Sequence, residues 1–333
     1  MNFRALSFEE LCDRLCQNKK TLIIYHIRPD ADAIGSAFAL RDLLSEMGIP
    51  AICAGADEIP ARLAFIYEGI QGSVVIDDEL YLDHERVISV DAAAPAQLGA
   101  IFDRLHKDID IMIDHHASGV QYADHYIDTS AAATGEIIFQ IAKELQRRGN
   151  IGELGKRTYS NIYAAISSDT GCFRFSNVTP RTMMAGAQLL EQGIDISQIN
   201  HRLFECKTLK QIKAEGEAAR RLTLYDKGKI ACVSFPYSAK FSLALSDQDL
   251  ETVIDVARSV EGAVVAAAIK QAENTGVFRV SLRSRVIDVA SICAVFGGGG
   301  HIRAAGCTLN AGSIDEAERA LVAEIRKKLA ENA

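Results

Sequence analysis

TLIIYHIRPDADAIGS, residues 21–36, is the stretch whose reading decides the fold. Thr21–Tyr25 is an apolar run of strand length, and the residues from Ala33 to Met47 read as a helix. Between them lie one imidazole and two carboxylates, His26, Asp30 and Asp32, in a turn stiffened by Pro29. Polar groups placed where a buried strand gives way to a helix occupy the position at which open α/β sheets bind ligands, beyond the carboxyl ends of the strands. The segment therefore predicts an α/β fold with a site at the end of its first strand.

Working outward, the pattern repeats. Ile49–Cys53, Ser73–Ile76, Val87–Val90 and Ile109–Ile113 read as short strands, and Ala133–Arg148 and Glu153–Ser167 as helices. Alternation of this kind predicts a parallel sheet with helices on both faces. Residues 1–180 form this domain in our reading, 181–221 a polar helical connector, and 222–333 a smaller, mixed α/β domain. The last has strands at Lys229–Phe235, Gly262–Lys270 and Val277–Arg283, and helices near Asp247–Ser259, Val289–Phe296 and Ile314–Leu329. A glycine-rich turn completes it.

Several classes of protein are set aside by composition. The 333 residues are 48% hydrophobic and 24% charged, enough for two ordinary cores. The eight cysteines are scattered without a Cys-x-x-Cys pair, which argues against a zinc ribbon and reads as small core residues in a reducing cytoplasm. The N-terminus lacks the apolar region of a signal peptide, and Ser7 with Glu10 reads as a capping box opening a helix. The most apolar run, Ala263–Ile269, is far too short to span a bilayer. A net charge of −8 leaves no broad basic footprint for a long duplex, so a nucleic-acid partner should be short and held by a few local cations. Oligomeric state is left open, a homodimer included.

Five motifs carry chemistry. The first is the HIRPDADAIGS segment, whose oxygen-plus-imidazole donors suit manganese or a similar divalent ion; the bland alternative is that Asp30 or Asp32 caps the following helix. Second is Asp91 after VISV, by itself an ordinary helix-cap signal. Third is Asp114-His115-His116 after the apolar IDIMI. Adjacent histidines on an extended backbone point apart, so one can serve a metal and the other a substrate, with Asp114 orienting a ring. The fourth, SSDTGCFRF at 167–175, adds Asp169 and Arg174, although Asp-Thr-Gly is also a common turn. The fifth is Gly297–Gly300 with His301 and Arg303, where glycine backbone could converge on an anion; its spacing is neither a P-loop nor a dinucleotide fingerprint.

In this order, HIRPDADAIGS, VISVD, DHH and SSDTG resemble the four motifs of the DHH phosphoesterase superfamily. SLRS at 281–284 followed by GGGGHIRAAG resembles the DHH-associated C-terminal domain, and the chain length resembles the oligoribonuclease and pAp (3′-phosphoadenosine 5′-phosphate) phosphatase subgroup. The resemblance implies a two-manganese site. His26 and Asp30 would hold one ion, Asp32, His115 and Asp169 the other, and Asp91 both. His116 would contact the scissile phosphate and Asp114 would orient the pair. Arg283, Ser284, Gly297, Gly298, Gly299, Gly300 and His301 would bind the nucleotide, assisted by Arg174 and Thr134. The expected function is hydrolysis of short oligoribonucleotides and pAp. A phosphodiesterase for cyclic dinucleotides or linear pApA is the near alternative, and a non-catalytic nucleotide sensor the distant one, disfavoured by the complete ligand set.

Overall fold

The computed structural model describes residues 3–68, 73–75, 84–273 and 276–331, and the chain divides into two compact units, Met1–Cys206 and Lys207–Ala333. The first contains six strands: β1 (Thr21–Ile24), β2 (Ala51–Gly55), β3 (Ser73–Val75), β4 (Arg86–Val90), β5 (Ile109–Asp114) and β6 (Asp124–Ile127). Ile76, expected to end β3, lies outside the described residues. The order is β3-β2-β1-β4-β5-β6, with every neighbouring pair parallel. The order reverses direction between β1 and β4, the switch point at which such sheets bind ligands.

Both faces of the sheet are covered, which is why β1 and β4 are buried at every position. On one side, Ile23, Tyr25, Ile88 and Ile113 pack against Ile34, Phe38, Ile138 and Ile162 from helices Ala31–Glu46, Thr134–Arg147 and Lys156–Asp169. On the other, Leu22, Ile24, Val87 and Met112 meet Leu98, Ile101 and Leu105. The three helices touch near the site through small residues. A Cβ on Gly35 would stand 2.5 Å from the Asn161 carbonyl oxygen, and one on Gly135 would stand 2.4 Å from the Ala165 Cβ. Alanine at either position would force helices apart that carry metal-ligand candidates. The capping box of Ser7 and Glu10 is present.

The stretch expected as a connector does not stand apart. Ala185, Leu189 and Ile199 join the first unit's core, whereas Ala214 and Ala218 of helix Leu209–Arg220 pack within the second unit. The second unit is built on β7 (Leu222–Tyr225), β8 (Ile230–Phe235), β9 (Val265–Gln271), β10 (Val277–Ser284), β11 (Gly299–His301) and β12 (Ala304–Asn310), in the order β11-β12-β10-β9-β8-β7. The β8–β9 pair is parallel and the others antiparallel, so the sheet is mixed as expected. Helix Ile314–Glu331 and helix Val289–Val295 cover one face; helices Leu209–Arg220 and Val253–Arg258 cover β8 and β9 on the other. Among the described residues no helix is long and apolar enough to cross a membrane. Five cysteines are buried, but Cys206 is exposed, so the reading of all eight as core residues does not hold.

Candidate metal centre

Four chain segments meet beyond the carboxyl ends of β1, β4 and β5. His26 leaves β1 two residues after its last strand position, and its Nε2 lies 3.7 Å from Asp30 Oδ1 and 3.6 Å from Asp91 Oδ2. Asp30 also caps helix Ala31–Glu46, its Oδ1 accepting from the Asp32 and Ala33 N–H groups. The capping reading was therefore right for Asp30 and compatible with the metal one. Asp91 follows β4 in the left-handed region at φ 55°, a conformation that non-glycine residues adopt sparingly and that concentrates at functional sites. From there its carboxylate serves His26 on one side and, through Oδ1, His115 Nε2 at 3.7 Å on the other.

His115 completes a second group. Its Nε2 lies 3.3 Å from Asp169 Oδ2 and 3.8 Å from Asp32 Oδ2. Donor atoms of His26, Asp30 and Asp91 lie within 4.8 Å of one another, as do those of Asp32, His115 and Asp169. The imidazoles are set for such a role by their other nitrogen. His26 Nδ1 is 2.8 Å from the Ile27 carbonyl and His115 Nδ1 3.3 Å from the Ala131 carbonyl. A carbonyl can only accept, so each Nδ1 carries the hydrogen and the Nε2 edge faces the carboxylates. His116 is turned differently: Asp114 Oδ1 accepts from its Nδ1 at 2.6 Å and from the backbone N–H groups of both histidines. Asp114 thus fixes the turn in which the two rings diverge.

The electrostatics call for a cation. Two carboxylates about 4 Å apart repel by about 4 kcal/mol at an effective dielectric of about 20. Burial, then the charges of Asp91 and Asp169, hold Asp32 well above the usual carboxylate range. Burial likewise pushes Asp169 up to about 6, against the pull of His115. Burial also disfavours charge on Asp91, but His26 above all brings it below the usual range. For His26 and His115 burial is outweighed by the facing carboxylates, which hold both rings well above the ordinary imidazole value. Four carboxylates and two imidazole edges crowded into a buried site fit a hard or borderline divalent ion.

Thr134, expected beside the substrate, is fully buried behind this cluster. Its hydroxyl donates to Asp91 Oδ1 at 2.9 Å and its N–H to Asp32 Oδ2 at 2.8 Å, while Asp32 Oδ1 accepts from Gly135 N–H and the Ser36 hydroxyl. It holds the Asp91 and Asp32 carboxylates and does not face solvent. Ser36, the Ala131–Gly135 backbone and Asn177 were missed by the sequence reading. Their contribution is hydrogen bonding, which leaves little mark on composition; only the run of small residues before Thr134 hinted at a tight turn. Arg174 is exposed, donates to the Gly171 carbonyl and lies over the Phe204 ring at 5.8 Å.

In the second unit, alternation along β10 sends Phe278, Val280 and Leu282 into the core, and Arg279, Ser281 and Arg283 to the opposite face. Arg283 pairs in register with Ala266 and Ala304, and Ser281 with Ala268 and Gly306; Ala266 and Ala268 are buried under the helices over β9, while Ala304, Gly306 and, on β11, Gly299 form a more open floor of small residues. Ser284 is corrected: its hydroxyl donates to the Val264 carbonyl and accepts from Val286 and Ile287 N–H, leaving no capacity for a ligand. The glycine run is also not a simple loop. Gly299–His301 is a strand. Gly297 has φ 71° after helix Val289–Val295, and a Cβ on Gly298 would stand 2.3 Å from the Gly306 carbonyl oxygen. Gly300 has φ 137°, whereas Gly299 has open space around it. The His301 side chain lies outside the described part of the structure.

With this geometry in view, the chain matches the DHH family, N-terminal domain, over residues 20–166 and the DHHA1 domain over 233–331. The chain carries a DHH-family N-terminal domain and a DHHA1 domain. It is 27% identical over 309 residues to the bifunctional oligoribonuclease and PAP phosphatase NrnA of Thermus thermophilus, covering 92% of this chain and 89% of that one. The NrnA of Bacillus subtilis is 27% identical over 304 residues, covering 90% and 92%. An exopolyphosphatase-related protein of Bacteroides fragilis shares the fold, with a TM-score of 0.86 at 20% identity, covering 96% and 95% of the two chains. As a DHH phosphoesterase, the chain is a hydrolase of phosphoester bonds.

Proposed function

We propose that this DHH protein hydrolyses short oligoribonucleotides and pAp with two divalent ions, manganese the best. The observation that carries the metal reading is the meeting of two donor groups at one residue: Asp91 faces His26 and Asp30 on one side, and His115, with Asp32 and Asp169, on the other. In this reading His26 and Asp30 hold one ion, Asp32, His115 and Asp169 the second, and Asp91 both. Bound there, the ions would supply charge neutralisation and acidify water at neutral pH. Substrate and products differ by one water: a P–O(sugar) bond breaks, a new P–O bond forms, and the departing oxygen takes a proton. His116, braced by Asp114, would meet the phosphoryl group. Arg283 and Gly299 would receive the nucleotide on the small-residue floor of the second sheet.

The substrate class rests on the NrnA relatives, matched nearly end to end, and on the charge of −8, which suits short ligands. The test is manganese-supplemented turnover of pAp, di- to pentaribonucleotides, pApA and cyclic di-AMP, side by side. Fastest turnover of the short RNAs, with pAp also hydrolysed, is expected. Exclusive turnover of cyclic di-AMP or pApA would overturn the substrate reading in favour of a dinucleotide phosphodiesterase.

A further inference from the structure

A carboxylate that none of the roles above uses lies directly behind the cluster. Glu136, in the first turn of helix Thr134–Arg147, has no solvent exposure. Its Oε2 accepts from the Ala132 N–H at 3.0 Å and the Thr182 hydroxyl at 2.9 Å; its Oε1 accepts from Arg181 Nε, and Arg181 also reaches Asp128 at 2.8 Å. A buried carboxylate that joins the Ala132 N–H to Arg181 and Thr182 of helix Pro180–Glu191 is an expensive way to hold a helix start, where an uncharged cap would serve.

The loop it grips touches both donor groups. The Ala131 carbonyl sets the His115 ring, Thr134 and Gly135 N–H groups hold Asp32, and the Thr134 hydroxyl holds Asp91. Asn177 Nδ2 clamps the same loop from outside, donating to the Ala132 carbonyl at 3.0 Å and to the Asp169 carbonyl at 3.1 Å. Ala132 is thus held at both ends of its peptide groups, by Glu136 at N–H and Asn177 at C=O. We propose that Glu136, fixed by Arg181 and aided by Asn177, is a positioning residue that sets the 131–135 loop and through it the geometry of His115, Asp32 and Asp91. Outer partners of metal ligands typically govern affinity by about 10- to 100-fold.

The proposal rests on the metal reading, and one titration separates the two. Manganese alone is titrated into full-length wild type, Glu136→Gln and Asn177→Ala, with free Mn2+ followed by its paramagnetic resonance signal; thermal unfolding is recorded in EDTA. Glu136→Gln keeps the shape and one acceptor but loses the charge against Arg181. Wild type should bind, and both variants should bind about 10- to 100-fold more weakly. At saturating Mn2+ kcat should recover and the substrate KM should stay unchanged. Should Glu136→Gln fail to fold, the exposed Asn177 carries the decision, since its side chain lies outside the apolar core and its removal costs only two hydrogen bonds. Variants that bind Mn2+ like wild type, with only the EDTA unfolding midpoint lowered, would reduce the network to a structural one and overturn the proposal. Wild type that binds no Mn2+ would overturn the metal reading and this proposal with it.

Discussion

Asp91 sits where both donor groups meet, so its substitution has a sharper consequence than that of any neighbour. Asp91→Ala removes a carboxylate from two groups at once and leaves the Thr134 hydroxyl without its acceptor. Turnover should fall by at least about 10³-fold, the upper range for removal of one electrostatic stabiliser from a dry site. The far-ultraviolet circular dichroism should be unchanged, because the strand before it is held by β1 and β5. A near-native rate would show that Asp91 is not shared between ions. Much of this was legible at the residue scale: His26, Asp91 and His115 follow apolar strands, Asp30 and Asp32 stand at the turn into a helix, and Asp169 ends a helix before a turn. What was not legible was hydrogen-bond capacity. Thr134 and Ser284 entered as substrate contacts only through the family resemblance. Only the coordinates show that one is committed to Asp91 and the other to three backbone groups.

At the scale of the element, the glycine run separates two effects that its sequence merges. Gly298 lies against Gly306 and Cys307, so Gly298→Ala should lower the melting temperature by several degrees, on the order of the 1–3 kcal/mol that overpacking costs. Gly299 meets nothing within 4 Å, so Gly299→Ala should leave melting unchanged and raise KM more than it lowers kcat, the signature of lost uniform binding. A Gly299 variant with native KM would remove β11 from the substrate surface. The strands β1, β4 and β5 were readable because they are buried on both faces and nearly all apolar. β6, with Asp124 and His125 in a half-buried edge, carries no such pattern. β11 and β12 escaped because glycine and alanine weaken any alternation, and the glycines were read as a turn.

For the molecule as a whole, the proposed metal reading makes the ion both an activity and a stability requirement. EDTA should abolish turnover, with Mn2+ restoring it best among Mn2+, Mg2+ and Ca2+. Mn2+ at a hundred times its dissociation constant should stabilise the fold by about 2.7 kcal/mol per site. Full activity after chelation and desalting would end the metal reading. Charge distribution sets the second expectation at this scale. With 36 basic against 44 acidic residues, few cations are available to release counterions from a long strand. The rate on dinucleotides should therefore change little between 50 and 200 mM salt, and a twenty-residue RNA should be a poor substrate. Processive degradation of that RNA at the dinucleotide rate would contradict it. The two-domain plan was legible from the alternation of strands and helices, followed by a second set of strands. In the stretch read as a connector, polar helices still bury alanine and leucine on one side, Ala185 and Leu189 among them, a pattern that polar composition hides.

The parallel pairing of β1 with β4, Thr21 opposite Arg86, bears on how the protein is made. No hairpin can bring these strands together, so His26 and Asp91 become neighbours only after the whole intervening segment has been synthesised and folded over. Asp169 emerges from the ribosome later still. A nascent chain therefore presents His26, Asp30 and Asp32 first, without Asp91, His115 and Asp169, until the later segments have been made and folded. On the metal reading proposed above, a stalled or truncated chain would offer only part of the donor set and would hold an ion poorly.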